Sequence, residues 1–182
     1  MLQTLDFRIL DRIQTTFRCR VLDRLMPGIS FLGNWGMIWI ILAVILLLIK
    51  SRRRCGLTLG AGLICGALIG NLLLKNLVAR TRPCLINDSV ELLIAIPWDS
   101  SFPSGHTLSA FVAATILMRY DRRLGVPTLI LAVLIAFSRL YLYVHFPSDV
   151  LAGALLGVGI GLAVSLVFDR MTVRVRSRNG RQ

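Results

Sequence analysis

Five apolar runs, at 31–49, 57–77, 104–118, 126–144 and 147–168, set the terms for any fold this chain can adopt. A helix that crosses the hydrocarbon core of a bilayer needs about 20 mostly apolar residues. Four of the runs meet that length, and the third is short enough to start earlier or to stop short of full depth. The 182 residues fit one domain, but 55% of them are hydrophobic, 16% are charged, and the mean hydropathy is +0.73. That composition is too apolar for an ordinary soluble domain. The expected fold is an all-α integral membrane protein, a bundle of five transmembrane helices forming a single membrane-embedded domain over 1–182. The count becomes six if the N-terminal segment also crosses.

The placement of the charge decides the orientation. The formal net charge is +12, and "KSRRR" at 50–54, "RYDRR" at 119–123 and the tail after Phe168 hold most of the basic residues. Alternating spans put all three on one side, which the positive-inside rule makes cytoplasmic. The segment 169–182 is then a basic cytoplasmic tail against anionic headgroups. A nucleic-acid partner is not expected, since neither a folded basic face nor interleaved stacking aromatics is present.

The first thirty residues read differently. Leu5, Ile9, Ile13, Phe17, Val21 and Leu25 recur every four positions, with charged residues between them. The pattern predicts one amphipathic interfacial helix over 1–30, ended by Pro27 and Gly28. A cleaved signal peptide is not expected, because acidic residues interrupt the segment. With five spans this helix lies outside, where its arginines oppose the charge rule.

Cys19, Cys55, Cys65 and Cys84 show no metal-ligand spacing; Cys55 and Cys65 read as packing residues, and Cys19 and Cys84 share the outer face. Gly62, Gly66 and Gly70, and again Gly153, Gly157 and Gly161, recur at four-residue intervals that let helices approach closely. Packing within one chain is their expected use, and a homodimer is the alternative.

The reactive side chains collect on the side opposite the basic segments. Two connections face outside, at 78–103 and 144–147, with His106 just past the end of the first and His145 in the second. Lys75, Arg80, Arg82 and the intramembrane Arg139 are cations placed against the topology bias. An ionisable residue at membrane depth points to function. Each feature alone has a plain explanation: cations favour a helix C-terminus, and "PSGHT" at 103–107 and the start of the last span read as helix caps. Arg139 has the alternatives of snorkelling or pairing with Asp149. Together, two helix N-termini, several cations, two imidazoles and a carboxylate form a set suited to phosphate. A carboxylate-bound histidine is a better nucleophile, and a second histidine serves as general acid. Carboxylates on this side are too few for a dedicated Mg²⁺ cage, so no cofactor or metal is expected.

Three blocks, K-x6-RP at 75–83, PSGH at 103–106 and SR-x5-H-x3-D at 138–149, resemble in order and spacing the signatures of the type 2 phosphatidic acid phosphatase superfamily. The resemblance spans under half of the chain and implies a helical bundle with a phosphohistidine mechanism. It assigns His145 as nucleophile, Asp149 as its orienting carboxylate and His106 as the acid that then activates water. It assigns Lys75, Arg82, Arg139, Ser104 and the Gly105 N–H to the phosphoryl oxygens. Arg80 stands outside the motif and receives no role. The soluble haloperoxidase branch does not suit so apolar a chain. The expected substrate is a lipid phosphate in the cell membrane, undecaprenyl diphosphate first, then phosphatidic acid or phosphatidylglycerol phosphate. A lipid phosphotransferase of the same fold, or a non-catalytic transporter, are the competing readings. The loop at 84–102 is expected to cover the site, with Trp98 as an interface aromatic.

Overall fold

The computed structural model describes residues 2–179, with side chains described through Met171; the expected basic tail beyond that point lies outside the described residues. Among the described residues all regular structure is helical. Helix α1 spans Leu2–Phe17, α2 Arg20–Leu32 and α3 Met37–Leu48. Helix α4, Arg53–Gly66, runs on through a π-helical segment, Ala67–Leu74, into α5, Lys75–Val78. A short α6, Pro83–Ile86, is followed by α7, Gly105–Tyr120, α8, Arg122–Tyr141, and α9, Pro147–Asn179.

Three stretches, Lys50–Ile86, Arg122–Tyr141 and Pro147–Met171, are long and apolar enough to cross a membrane. A fourth forms if α2 and the stretch Asn34–Leu48, bent by 42°, count as one. Their outer faces carry Ile41, Leu68, Leu72, Val133, Leu155 and Leu162, all exposed. So much outward apolar surface fits hydrocarbon rather than water. The third run became α7, whose 16 residues rise about 24 Å, short of a core about 30 Å thick. It stands at the centre of the bundle, with Ala110, Val112, Ala113, Ile116 and Leu117 fully buried.

Two sequence expectations need correction. The N-terminal amphipathic segment is not one helix ending at Pro27 and Gly28. It breaks at Arg18 and Cys19, and α2 continues through Pro27 to Leu32, where Met26 and Ser30 are buried. Interior prolines are tolerated where neighbouring helices support the backbone. The first span is not a continuous helix over 31–49 either. Trp35 (φ 55°) and Gly36 (φ 66°) take left-handed backbone between α2 and α3 and turn the chain. Within α1, Leu5, Ile9 and Phe17 are exposed, as on the apolar side of an interfacial helix, while Ile13 of the same stripe faces the protein with Asp6 and Leu10.

Both glycine ladders close on α7. A Cβ added at Gly62, Gly66 or Gly70 would meet Ile116 or Leu108 at 2.5–2.7 Å. On the opposite side, a Cβ at Gly153 would lie 2.7 Å from the Ser104 carbonyl oxygen, and one at Gly157 2.6 Å from that of Leu108. The ladders therefore serve packing within the chain. The four cysteines are unpaired, Cys55 and Cys84 buried and Cys19 exposed.

The two ends of the bundle differ. At one, Arg52 pairs with Asp121 at 2.8 Å, and Arg54 and Arg119 both reach Asp169. At the other, the turn after α8 meets the N-termini of α7 and α9. Gly157→Val should lower the melting temperature in detergent by several degrees, since the new methyls meet backbone and overpacking costs about 1–3 kcal/mol. Gly159→Ala, which meets nothing within 4 Å, should leave the melt unchanged.

Candidate active site

The site end is assembled from chain breaks. Ala79 (φ 46°) closes α5 with its N–H on the Lys75 carbonyl, and Tyr143 (φ 58°) turns the chain after α8. Pro147 then opens α9, and Ser104 caps α7. The Ser104 N–H donates to the Asp149 carbonyl at 3.1 Å, which stitches the two helix starts together.

His145, 1% exposed, stands in that turn. Arg82 Nη1 lies 3.2 Å from its Nε2. A guanidinium only donates, so Nε2 carries the lone pair and the ring proton sits on Nδ1. Nδ1 faces Asp149 Oδ2 at 3.8 Å and Ser101 Oγ at 3.5 Å, and the Ser101 hydroxyl donates to Asp149 Oδ2 at 2.5 Å. Ser101 thus stands between imidazole and carboxylate. Burial first, then the charges of Arg82, Arg139 and Lys75, push the His145 pKa well below 6.5. A neutral ring with an unprotonated Nε2, here turned to Arg82, is the form a nucleophile needs.

Three cations surround it. Arg82 is buried; it donates from Nη1 to the Val144 carbonyl at 2.6 Å and from Nη2 to Asp99 Oδ1 at 2.6 Å, with Nε on the Asp99 carbonyl at 2.8 Å. Lys75 pairs with the other Asp99 oxygen. Burial raises the Asp99 pKa, but the Lys75 hydrogen bond and the charges of Lys75 and Arg82 outweigh it and hold the carboxyl below its usual range. Arg139, 2% exposed, donates to Ser30 Oγ, and its Nε has no partner among the described residues. It neither snorkels nor meets Asp149. Its charge, with those of Lys75 and Arg82, acts on both histidines. A buried guanidinium with open donors among other cations is a setting for an anion.

The remaining expected residues are close by. His106 Nε2 lies 2.8 Å from Asn34 Oδ1, and a Cβ at Gly33 would touch the His106 ring at 2.7 Å. The bend between α2 and α3 is what brings Asn34 there. The Ser104 hydroxyl is buried and accepts from Thr107 at 3.0 Å, so it is turned toward its own helix. Gly105 has Asn71 against it, with Oδ1 2.7 Å from where a Cβ would be. Among the described residues, no three His, Cys, Asp or Glu side chains group to hold a metal ion.

Sequence reading missed several participants. Arg80, left without a role, donates to Asp149 Oδ1 at 2.6 Å, to Ser148 Oγ at 2.7 Å and to Asp6 Oδ2 at 2.7 Å. Asp6, Asp99, Ser101 and Asn34 came from segments whose polar residues looked ordinary. Carboxylates are therefore better represented at this end than the sequence count indicated. Tyr141 and Tyr143 also gain partners: their hydroxyls donate to Asp23 Oδ1 at 2.6 Å and Asp11 Oδ1 at 2.9 Å, clasping α2 and α1 to the turn. Trp98 is 87% exposed, as an interface aromatic should be.

Asp99 holds both Lys75 and Arg82 through a carboxylate, the group a bound phosphate would rival. Asp99→Asn should tighten binding of inorganic phosphate, measured calorimetrically, by roughly fivefold, the equivalent of about 1 kcal/mol. Weaker binding would mean that Asp99 chiefly orients the cations.

The geometry has counterparts in known proteins. Over 130 residues the chain is 36% identical to an undecaprenyl-diphosphatase of Sulfolobus acidocaldarius, covering 70% of this chain and 63% of that one, so it spans just under two thirds of that relative. It is also 36% identical over 142 residues to a decaprenylphosphoryl-5-phosphoribose phosphatase of Mycobacterium tuberculosis, covering 77% of each. The fold superposes on the crystal structure of Aquifex aeolicus LpxE with a TM-score of 0.78 and 28% identity, covering 88% of this chain and 94% of that one. Residues 55–172 match the family model of the PAP2 superfamily, and with that match the chain belongs to the PAP2 superfamily.

Proposed function

We propose that this protein hydrolyses a polyprenyl-linked lipid phosphate, undecaprenyl diphosphate first, through a metal-independent phosphohistidine mechanism. One observation carries the reading: Arg139 is buried with an Nε unpartnered among the described residues, in the same cluster as the unprotonated Nε2 of His145. An anion there would be met by Lys75, Arg82 and Arg139 and attacked by a neutral imidazole.

His145 Nε2 attacks phosphorus as the bond to the leaving oxygen breaks. For a diphosphate the leaving group is the lipid monophosphate, whose oxygen takes a proton from His106. Water then attacks the phosphohistidine, loses a proton to His106, and the P–N bond breaks to free phosphate. Asp149, through Ser101, steadies the Nδ1 proton while the ring becomes positive. Lys75, Arg82 and Arg139 neutralise the equatorial oxygens, the main electrostatic contribution in such transfers, with the Gly105 N–H and Ser104 at the start of α7 beside them. Three fixed cations supply the charge that a metal supplies elsewhere. Both named relatives carry a polyprenyl-linked substrate in their names, and the outward leucines around the bundle favour a substrate held in the bilayer.

The test is phosphate release from undecaprenyl diphosphate, a decaprenyl-linked sugar phosphate, phosphatidic acid and phosphatidylglycerol phosphate, with EDTA present. Activity should persist under EDTA and be highest on the prenyl diphosphate; complete chelator inhibition would sink the metal-independent route. His145→Ala should lose at least a thousandfold in kcat, and His106→Ala should accumulate phosphoenzyme on a substrate with a good leaving group. With a depressed His145 pKa, protonation removes the nucleophile only well below pH 6.5. The acid limb of kcat/KM should therefore fall below that value.

The site end is read as extracytoplasmic from the basic segments at the opposite end. Cys19, exposed and with its N–H 3.3 Å from the Tyr141 hydroxyl, should react with a membrane-impermeant maleimide in intact cells. Labelling only after permeabilisation would place the site in the cytoplasm.

A further inference from the structure

The tie between Asp6 and Arg80 reaches further than anchoring the first helix. Asp6 is 3% exposed and accepts from the Ser148 N–H at 3.0 Å, the Ser148 hydroxyl at 2.6 Å and Arg80 Nη2 at 2.7 Å. Arg80 Nη1 reaches Asp149 Oδ1 at 2.6 Å. The same guanidinium stacks 4.0 Å above the Phe146 ring, which Phe7 meets edge-on at 5.1 Å. The Arg80 carbonyl also accepts the Ser101 N–H at 2.8 Å. Arg80 therefore touches the carboxylate and the backbone of the serine between carboxylate and imidazole.

We propose that Asp6 and Arg80 are positioning residues for phosphoryl transfer. Asp6 fixes the Arg80 guanidinium, and Arg80 in turn holds Asp149 Oδ1, so that Oδ2 faces Ser101 and His145 Nδ1. A carboxylate gripped on one oxygen by a fixed fork cannot rotate away from its histidine. Oδ2 is pinned further by the Phe146 N–H at 2.9 Å. Helix α1 lies outside residues 55–172, the part matched to the family model, so the attacking geometry depends on a segment beyond that core. This inference rests on the phosphatase reading for its kinetic consequences, while its geometric part does not.

The charges alternate: Asp6 negative, Arg80 positive, Asp149 negative. The other groups facing His145 stay in place when this tie is changed: Arg82 and Asp99 from the connection, Lys75 of α5, His106 of α7 and Arg139 of α8. Asp6→Asn leaves Arg80 balanced by Asp149 alone, which weakens the pull on the imidazole proton. Protonated His145 is then less favoured, and the acid limb of kcat/KM moves to lower pH. Arg80→Gln leaves Asp149 uncompensated, protonated His145 is more favoured, and the limb moves to higher pH. These shifts read the charges, while the positioning role is read in a fall of kcat at constant KM and in its partial recovery in Asp6→Glu.

The experiment measures kcat, KM and the acid limb on undecaprenyl diphosphate for the parent, Asp6→Asn, Asp6→Glu, Arg80→Gln and Arg80→Lys. We expect kcat to fall tenfold to a hundredfold in Asp6→Asn with KM within about twofold, partial recovery in Asp6→Glu, and limb shifts of opposite sign in Asp6→Asn and Arg80→Gln. Unmoved limbs, shifts of the same sign, or a rise in KM at constant kcat would overturn the proposal. Loss of folded protein in all four variants would also overturn it, by making the tie a strut of the fold. Histidine ¹⁵N NMR without substrate, with a His106→Gln sample to distinguish the two rings, reads the His145 tautomer directly. A parent that releases no phosphate yet shows the Nδ1–H tautomer, disturbed in Asp6→Asn, would defeat the phosphatase reading and keep the positioning role. An undisturbed tautomer would defeat the positioning role alone.

Discussion

Everything at the site end depends on how closely α9 approaches α7. Gly153 and Gly157 let the two backbones come near enough for the Ser104 N–H to reach the Asp149 carbonyl at 3.1 Å. That approach puts the helix carrying His106 beside the helix carrying Asp149. Without lipid-facing sides of its own, α7 is held by packing, chiefly van der Waals contact between small residues. The ladder of Gly62, Gly66 and Gly70 holds its other flank. Relative positions of two reactive groups are thus set by main-chain contact rather than by long side chains.

Charge balance is the second constraint. Lys75, Arg82 and Arg139 are buried in an apolar bundle, where an uncompensated charge costs several kcal/mol. For Lys75 and Arg82 the structure meets this with Asp99, and for the neighbouring Arg80 with Asp6 and Asp149. Asp99 comes from the connection after α6 and holds two cations. Asp149 opens α9 and holds Arg80, which Asp6 of α1 also holds. Arg139 is the exception, with a serine hydroxyl as its protein partner. The cluster is nearly neutral where it touches protein and open where its cations converge.

Much of this was legible in the sequence, for reasons that differ by residue. Apolar runs of spanning length gave the helices because hydrocarbon allows little else, and the glycine spacing announced close helix contact. The motif residues were legible because phosphate chemistry needs cations, imidazoles and a carboxylate together. Asp6 was not, because its position in α1 fits the polar side of an amphipathic pattern and only the fold turns it inward. Asn34 was hidden for another reason. It lies inside an apparently continuous apolar run, and the left-handed Trp35 and Gly36 that break the run carry no strong local signal at tryptophan. Arg80 was set aside since the motif names Arg82 two residues later. An extended stretch sends residues two apart to the same side, which lets both serve one cluster.

The outer side of α1 has a practical consequence. Leu2, Leu5 and Ile9 are exposed and apolar, while Asp6 between them is buried. About two turns of helix therefore present apolar side chains outward on one side and reach the site through Arg80 on the other. Any purification tag joined at Met1 begins only five residues from Asp6, and a detergent that strips the first turn acts on the same helix. On the positioning role proposed for Asp6, preparations that differ only in tag placement or detergent should differ in specific activity, and a C-terminal tag is the sounder choice for kinetic work.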